Sequence, residues 1–176
     1  MQLRRIEARV ELAGSRWKLP DLDNLKAQLA TEYEALAALV GEWEGEGGLD
    51  VSFHNVEGSV GETPYREKIT MKPFGPVDNG AQHLYGLDYR MAAWREGEAD
   101  PFHTEVGYWL WEPATGTIIQ TLAIPRGQIA MASGKAAPDA TAFELTAMRG
   151  SELYGICSNP FIDSAFRTAE YRIKVS

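Results

Sequence analysis

The groups in this chain that could do chemistry are few. They are three histidines (His54, His83 and His103), one cysteine (Cys157), and carboxylates set on alternating positions. His103 and Glu105 stand two apart, a spacing that puts both side chains on one face of a strand. An imidazole beside a carboxylate can donate to a bound ligand or take part in acid–base work. Glu67 shares its side with the bulky Tyr65, Ile69 and Met71, so it too is expected inside, where an acid needs an Arg, Tyr or His partner. Glu42, Glu44 and Glu46 share one strand face, and such a row of like charges is best tolerated in water.

The usual catalytic and metal-binding patterns do not occur. The sequence holds no Ser-His-Asp order, nucleophile elbow, phosphate loop or dinucleotide fingerprint. The histidines are far apart, without i, i+4 spacing, and Cys157 has no Cys-x-x-Cys partner, so neither a dedicated metal centre nor a disulfide is expected. Within Tyr154-Gly155-Ile156-Cys157-Ser158 the cysteine reads as a buried or half-buried small residue near a strand end. The net charge of −8, from 25 acidic and 17 basic residues, argues against nucleic acid, which needs clustered Lys and Arg. No apolar run approaches the ~20 residues of a membrane span. The first residues lack the apolar core of a secretory signal, which makes a cytoplasmic address the expectation.

Three kinds of element must position these groups. Residues 3–12 alternate, with Leu3, Arg5, Glu7, Arg9 and Glu11 opposite Arg4, Ile6, Ala8, Val10 and Leu12, as in a strand with one apolar face. Residues 1–20 are thus an extension with a strand of its own. Over 21–40, Leu22, Leu25, Leu29, Tyr33, Leu36 and Val40 form one stripe of a helix, with Asp21 or Asp23 as its cap and Gly41 at its end. From 42 to 176 the reading is β. Tyr65–Lys72 alternates, and His83, Tyr85, Leu87, Tyr89, Met91 and Ala93 form one apolar and aromatic face. Further strands follow at 102–111, 117–124, 127–133, 141–148, 152–157 and 165–175, separated by Gly- and Pro-containing turns. Even spacing of this kind favours a single-domain, mainly all-β fold over 1–176, an antiparallel up-and-down barrel of about ten strands with one N-terminal helix.

Gly41-x-Trp43-x-Gly45-x-Gly47 has the form with which calycin barrels open their first strand. Together with Tyr65-Arg66-Glu67, His103-Thr104-Glu105-Val106-Gly107-Tyr108-Trp109 and the turn Ala123-Ile124-Pro125-Arg126-Gly127, it resembles the nitrobindin family. The resemblance covers residues 36 to about 175. It implies a ten-stranded barrel similar to fatty-acid-binding proteins, several of which hold ferric haem. It also implies that Gly41, Trp43, Gly45, Gly47 and Gly107 are structural, with Trp43 packed on an arginine of a late strand, Arg167 or Arg172. His103 aligns with the histidine on the open side of haem and is the one weak candidate for a haem contact. Haem-binding relatives take their iron ligand from a histidine after the last strand. This sequence ends in Tyr171-Arg172-Ile173-Lys174-Val175-Ser176 and its last histidine is His103. Haem is therefore disfavoured, and the strand at 3–12 is a candidate to fill the place of a closing strand.

The reading that follows is a non-catalytic carrier or sensor for an apolar or aromatic small molecule held inside the barrel. Its cavity candidates are His103, Glu105, His83, Tyr85, Tyr89, Met91, Glu67 and Met131, with no catalytic residue and no metal. His54 is expected in a solvated loop. Alternatives are a ferric-haem protein binding nitric oxide or isomerising peroxynitrite, a small barrel enzyme using interior Glu, His and Tyr, and a homodimer formed through the helix or an open barrel edge.

Overall fold

The computed structural model describes residues 2–5, 27, 29–54 and 56–176. One curled ten-stranded sheet dominates it, in the order β1-β2-β3-β4-β5-β6-β7-β9-β8-β10. The strands are β1 (Gln2–Arg5), β2 (Gly41–His54), β3 (Ser59–Asp78), β4 (His83–Arg95), β5 (His103–Glu112), β6 (Thr117–Ile124), β7 (Gln128–Lys135), β8 (Phe143–Arg149), β9 (Gly155–Ser158) and β10 (Glu170–Val175). From β1 to β7 the sheet is an antiparallel meander, as expected. The expected strand at 165–175 begins only at Glu170. The short β9 runs parallel to β8, pairing Met148 with Gly155, and antiparallel to β7. Residues 160–166 form helix α1 (Pro160–Phe166), opened by the Asn159 side chain accepting from the Ile162 backbone N–H at 2.9 Å and by proline in its first turn. Asn-Pro before a short mixed run is a helix start, and the sequence reading passed over it.

The expected N-terminal strand is paired where it is described. Gln2–Arg5 lies antiparallel to β2, with Leu3 opposite Gly45 and Arg5 opposite Trp43. The remainder of the 3–12 pattern lies outside the described residues, as do both helix caps expected at 21–23. Among the described residues β1 and β10 are the two edges of the sheet. The C-terminal part of the expected helix is present but changes type: residues 29–32 are α-helical, and Glu34–Leu39 form a 3-10 helix.

Inward positions follow the period of two along each strand. Leu87, Trp111, Ile118 and Leu145 are fully buried on the concave side, and Leu36 of the 3-10 helix meets them. Each such side chain contributes roughly 1.5–3 kcal/mol on burial. The helix is fixed by hydrogen bonds as well as packing. Trp111 Nε1 donates to Glu34 Oε2 at 2.8 Å, and Tyr33 Oη donates to the Phe74 carbonyl at 3.0 Å. This end of the curled sheet is therefore plugged.

Trp43 is held differently from the expectation. Its indole Nε1 donates to the Leu39 carbonyl at 2.9 Å, tying the first long strand to the plug. Among the described residues the arginines stacked on rings are Arg66 on Trp94 and Arg95 on Phe102. Arg172 instead pairs with Glu170 and Glu144 on the outer face, and exposed Arg167 caps α1 in the left-handed conformation.

Two glycines of the opening and middle motifs have clear physical roles. Gly47 takes φ +74° inside a register shift between Gly45 and Gly48, where β2 carries an extra residue. Gly107 lies so close to β6 that a Cβ would run into the Thr121 carbonyl. We expect Leu36→Ala to lower the unfolding free energy by about 2–5 kcal/mol in urea titration. Val56→Ala, at a 96% exposed position, should stay within about 0.5 kcal/mol of the parent.

Candidate functional site

Away from the plug, the inner face turns polar. The ladder sets Glu67 of β3 opposite Ala93 of β4, and Ala93 opposite His103 of β5. The next row toward the plug runs Ile69, Met91, Glu105. Glu67 and Glu105 are only 7% and 8% exposed. The expectation that both point inward is met.

Glu105 is fully engaged. Tyr89 Oη donates to its Oε2 at 2.9 Å, and His103 Nε2 lies 3.1 Å from its Oε1. Tyr171 Oη donates to Gln120 Oε1 at 3.2 Å deeper in the same interior. Burial, then the Glu105 charge, pushes the phenols of Tyr89 and Tyr171 far above their ordinary range, so both remain hydroxyl donors. Glu67 is the exception. It has no hydrogen-bond or ion-pair partner among the described residues. Its oxygens are not sealed off either: the one fully enclosed unpaired side-chain atom found there is Trp109 Nε1.

A cavity of about 290 Å³ opens at this end, lined by Leu49, Asp50, Tyr65, Met91, Ala93, Phe102 and His103. Tyr65 and Phe102 meet edge to face at 6.1 Å between ring centres, and the Arg95 guanidinium stacks on Phe102. The Tyr65 hydroxyl is pushed above its ordinary value by burial, then by the charges of Glu67, Asp50 and Glu105. Of these carboxylates, Asp50 shares the cavity wall with Tyr65. A larger groove, about 690 Å³, lies outside the sheet between β5–β7 and the segment 151–157. It lies on the outer face of the sheet, and we place the candidate site at the smaller cavity, whose wall holds His103 with Glu105 bonded behind it.

The sequence candidates divide accordingly. His103 and Met91 line the cavity, Glu105 and Tyr89 are bonded behind His103, and Glu67 stands opposite Ala93 without lining the space itself. Tyr85 is inward but belongs to the plugged end, where its ring packs on Tyr33 at 5.2 Å. His83 is exposed and sits 3.3 Å from Asp78 Oδ2. Met131 faces outward into the groove, because Ala130 and Ala132 take the inner positions of β7. Cys157 is exposed in the same groove rather than buried. His54 is a strand residue, not a loop one, with its ring over Gly61 and its Nε2 3.4 Å from Thr63 Oγ1.

Asp50, Tyr65 and Phe102 were not singled out. For Asp50 the reason is the extra residue in β2. Continuing the parity of Trp43 would turn Leu49, Val51 and Phe53 inward. The bulge reverses this, leaving those three about half exposed and aiming Asp50, Ser52 and His54 inside. Its signal was present in Gly45-Glu46-Gly47-Gly48, since glycines inside a strand mark bulges.

The wall residues do not fit a haem. The inward imidazole at the cavity, His103, has its Nε2 held by Glu105. The space is also at the lower limit of the ~300–1,000 Å³ usual for ligand pockets, with the Asp50 carboxylate in its wall. Nor is any cluster of three or more metal-ligating side chains present among the described residues. Comparison with known families gives a match over residues 32–175 to the THAP4-like, heme-binding beta-barrel domain. A comparison with curated proteins returned no match.

Burial, then the Glu105 charge, raises the Glu67 carboxyl above its ordinary value, against a smaller opposing pull from the positively charged amino terminus. A raised folded-state pKa stabilises the fold fully below the ordinary carboxyl range, and that contribution disappears as pH rises through the raised value. Ionised Glu67 is thus a cost at neutral pH, on the order of 1–3 kcal/mol for a buried group without a partner. We expect Glu67→Gln to raise the melting temperature at pH 7 by about 2–12 °C, using ~2–4 °C per kcal/mol at this chain length. At pH 4 the gain should nearly vanish. A melting temperature unchanged or lowered at pH 7 would mean that the carboxylate is paired.

Proposed function

This chain belongs to the nitrobindin family, the THAP4-like, heme-binding beta-barrel domains, and on that premise we propose that it binds one small molecule with an apolar or aromatic body inside the barrel, without covalent chemistry. The observation that carries this reading is the division of the interior. One end is filled by Leu36, Trp111, Leu87 and Ile118, whereas the other keeps a cavity walled by Met91, Ala93, Tyr65 and Phe102. Apolar and aromatic walls with a few fixed polar groups are the usual make-up of a small-molecule site. Barrels of this size hold one small ligand when side chains do not fill them.

In the wall of that cavity His103 is the polar group that Glu105 and Tyr89 back from behind. Glu105 accepts from Tyr89 on one oxygen and holds His103 at the other. The pair therefore orients the imidazole toward the cavity rather than leaving it to rotate. A carrier or sensor role suits this arrangement, in which polar side chains set ligand orientation. The haem reading gains no support from the wall residues.

The test is a titration with the neutral fluorophore N-phenyl-1-naphthylamine. We expect saturable one-to-one binding, weakened at least tenfold by Ala93→Leu, which extends into the cavity, and unaffected by Met131→Ala in the outer groove. Circular dichroism of each variant checks the fold. Absence of saturation, or loss through Met131→Ala instead, would overturn the interior site. In parallel, a hemin titration should give no saturable Soret band. A sharp band lost in His103→Ala would restore haem as the ligand.

A further inference from the structure

We propose that the protein pairs with a second copy of itself, edge to edge, through residues 49–54 of β2. The inference does not depend on the interior site. It starts from the unequal lengths of the strands. β1 accompanies β2 over residues 43–46, and β4 meets β3 from Tyr65 onward. Past those points β2 and β3 continue together as a two-stranded arm, from Leu49 opposite Pro64 to His54 opposite Ser59. Among the described residues, no other strand lies beside β2 over this stretch. A two-stranded ribbon is marginally stable in water by itself, and its open edge presents unpaired backbone donors and acceptors.

The two edges of the arm differ. The β3 edge carries Glu62 and Pro64, and proline has no N–H to offer a further strand. On the far side of the sheet, the free edge of β10 carries Glu170, Arg172 and Lys174. Charges and prolines of this kind keep edges from pairing. The β2 edge over 49–54 has no proline, lysine or arginine, and its Leu49, Val51 and Phe53 are about half exposed. Its carboxylate, Asp50, decides what it can accept. Antiparallel pairing of one edge with its own copy is two-fold symmetric. Centred on Ser52, it sets Asp50 of each copy opposite the partner's His54, and Val51 opposite the partner's Phe53. A carboxylate then meets an imidazole donor twice, and β-branched side chains meet aromatic ones, which are favoured cross-strand pairs. Asp50 accepts from Ser52 Oγ on Oδ2 at 2.8 Å, leaving Oδ1 for this contact. His54 is not held by a close hydrogen bond in its own chain, with Thr63 Oγ1 at 3.4 Å and Glu57 Oε2 at 3.8 Å. A two-fold pairing uses the edge once, so association stops at the dimer.

The experiment is sedimentation velocity on the full chain across a range of concentrations. We expect a concentration-dependent rise to twice the chain mass of 19.5 kDa. Val51→Lys places a lysine at the seam and should weaken the dimer at least tenfold. Met148→Lys, at a half-exposed apolar position on β8, should leave it unchanged. Thermal melts of both variants check the fold. The register has its own readout. In a Cys157→Ser background, Ser52→Cys stands on the two-fold axis facing itself and should give a disulfide-linked dimer on mild oxidation. Glu62→Cys, on the β3 edge, should give none. A chain that stays monomeric throughout, or a dimer lost through Met148→Lys and kept in Val51→Lys, overturns the proposal. So does a crosslink at Glu62→Cys with none at Ser52→Cys, which would move the seam to the other edge of the arm.

Discussion

A curled antiparallel sheet has a concave side that must be filled, lined with satisfied polar groups, or left as a cavity. In this protein the plug formed by Tyr33, Ala35 and Leu36 settles which end takes which solution. Leu36 is fully buried against the aromatic and aliphatic side chains of β4–β6, and the Trp111–Glu34 and Tyr33–Phe74 hydrogen bonds lock the helix in place. Trp43 adds a third tie through the Leu39 carbonyl. With one end closed in this way, Glu67, His103 and Glu105 lie toward the other. The cavity is a consequence of where the plug sits.

The polar end is built from mismatched demands. Glu105 is satisfied by a phenol and an imidazole, so its burial is compensated. Glu67, two strands away on β3, has no hydrogen-bond partner among the described residues, and the Glu105 charge makes its ionised form more expensive. Left to packing alone, an amide or a leucine would serve the fold better at position 67.

The outer face shows the same sheet under a different constraint. The reversal of parity in β2 exposes Leu49, Val51 and Phe53, and the segment 151–157 shelters a groove against Val106, Tyr108 and Met131. These residues are apolar without converging polar groups, in contrast to the interior. The difference between the two surfaces is chemical more than volumetric: the smaller space is the one with a directed set of donors and acceptors.

Much of this was legible in the sequence. Alternation located β3–β8 within a few residues, the motifs around Trp43 and His103 pointed to the family, and bulky same-side neighbours placed Glu67 and Glu105 inside. Those features are local, since the period of two and the identity of nearest neighbours fix which face a side chain takes. Tertiary structure decided the rest. It chose which end the helix plugs, turned Met131 outward, made residues 160–166 a helix, and through one extra residue near Gly47 turned Asp50 inward and left Leu49 half exposed at the cavity rim. Each of these depends on register between strands far apart in the chain, and a single-residue shift there inverts every position that follows.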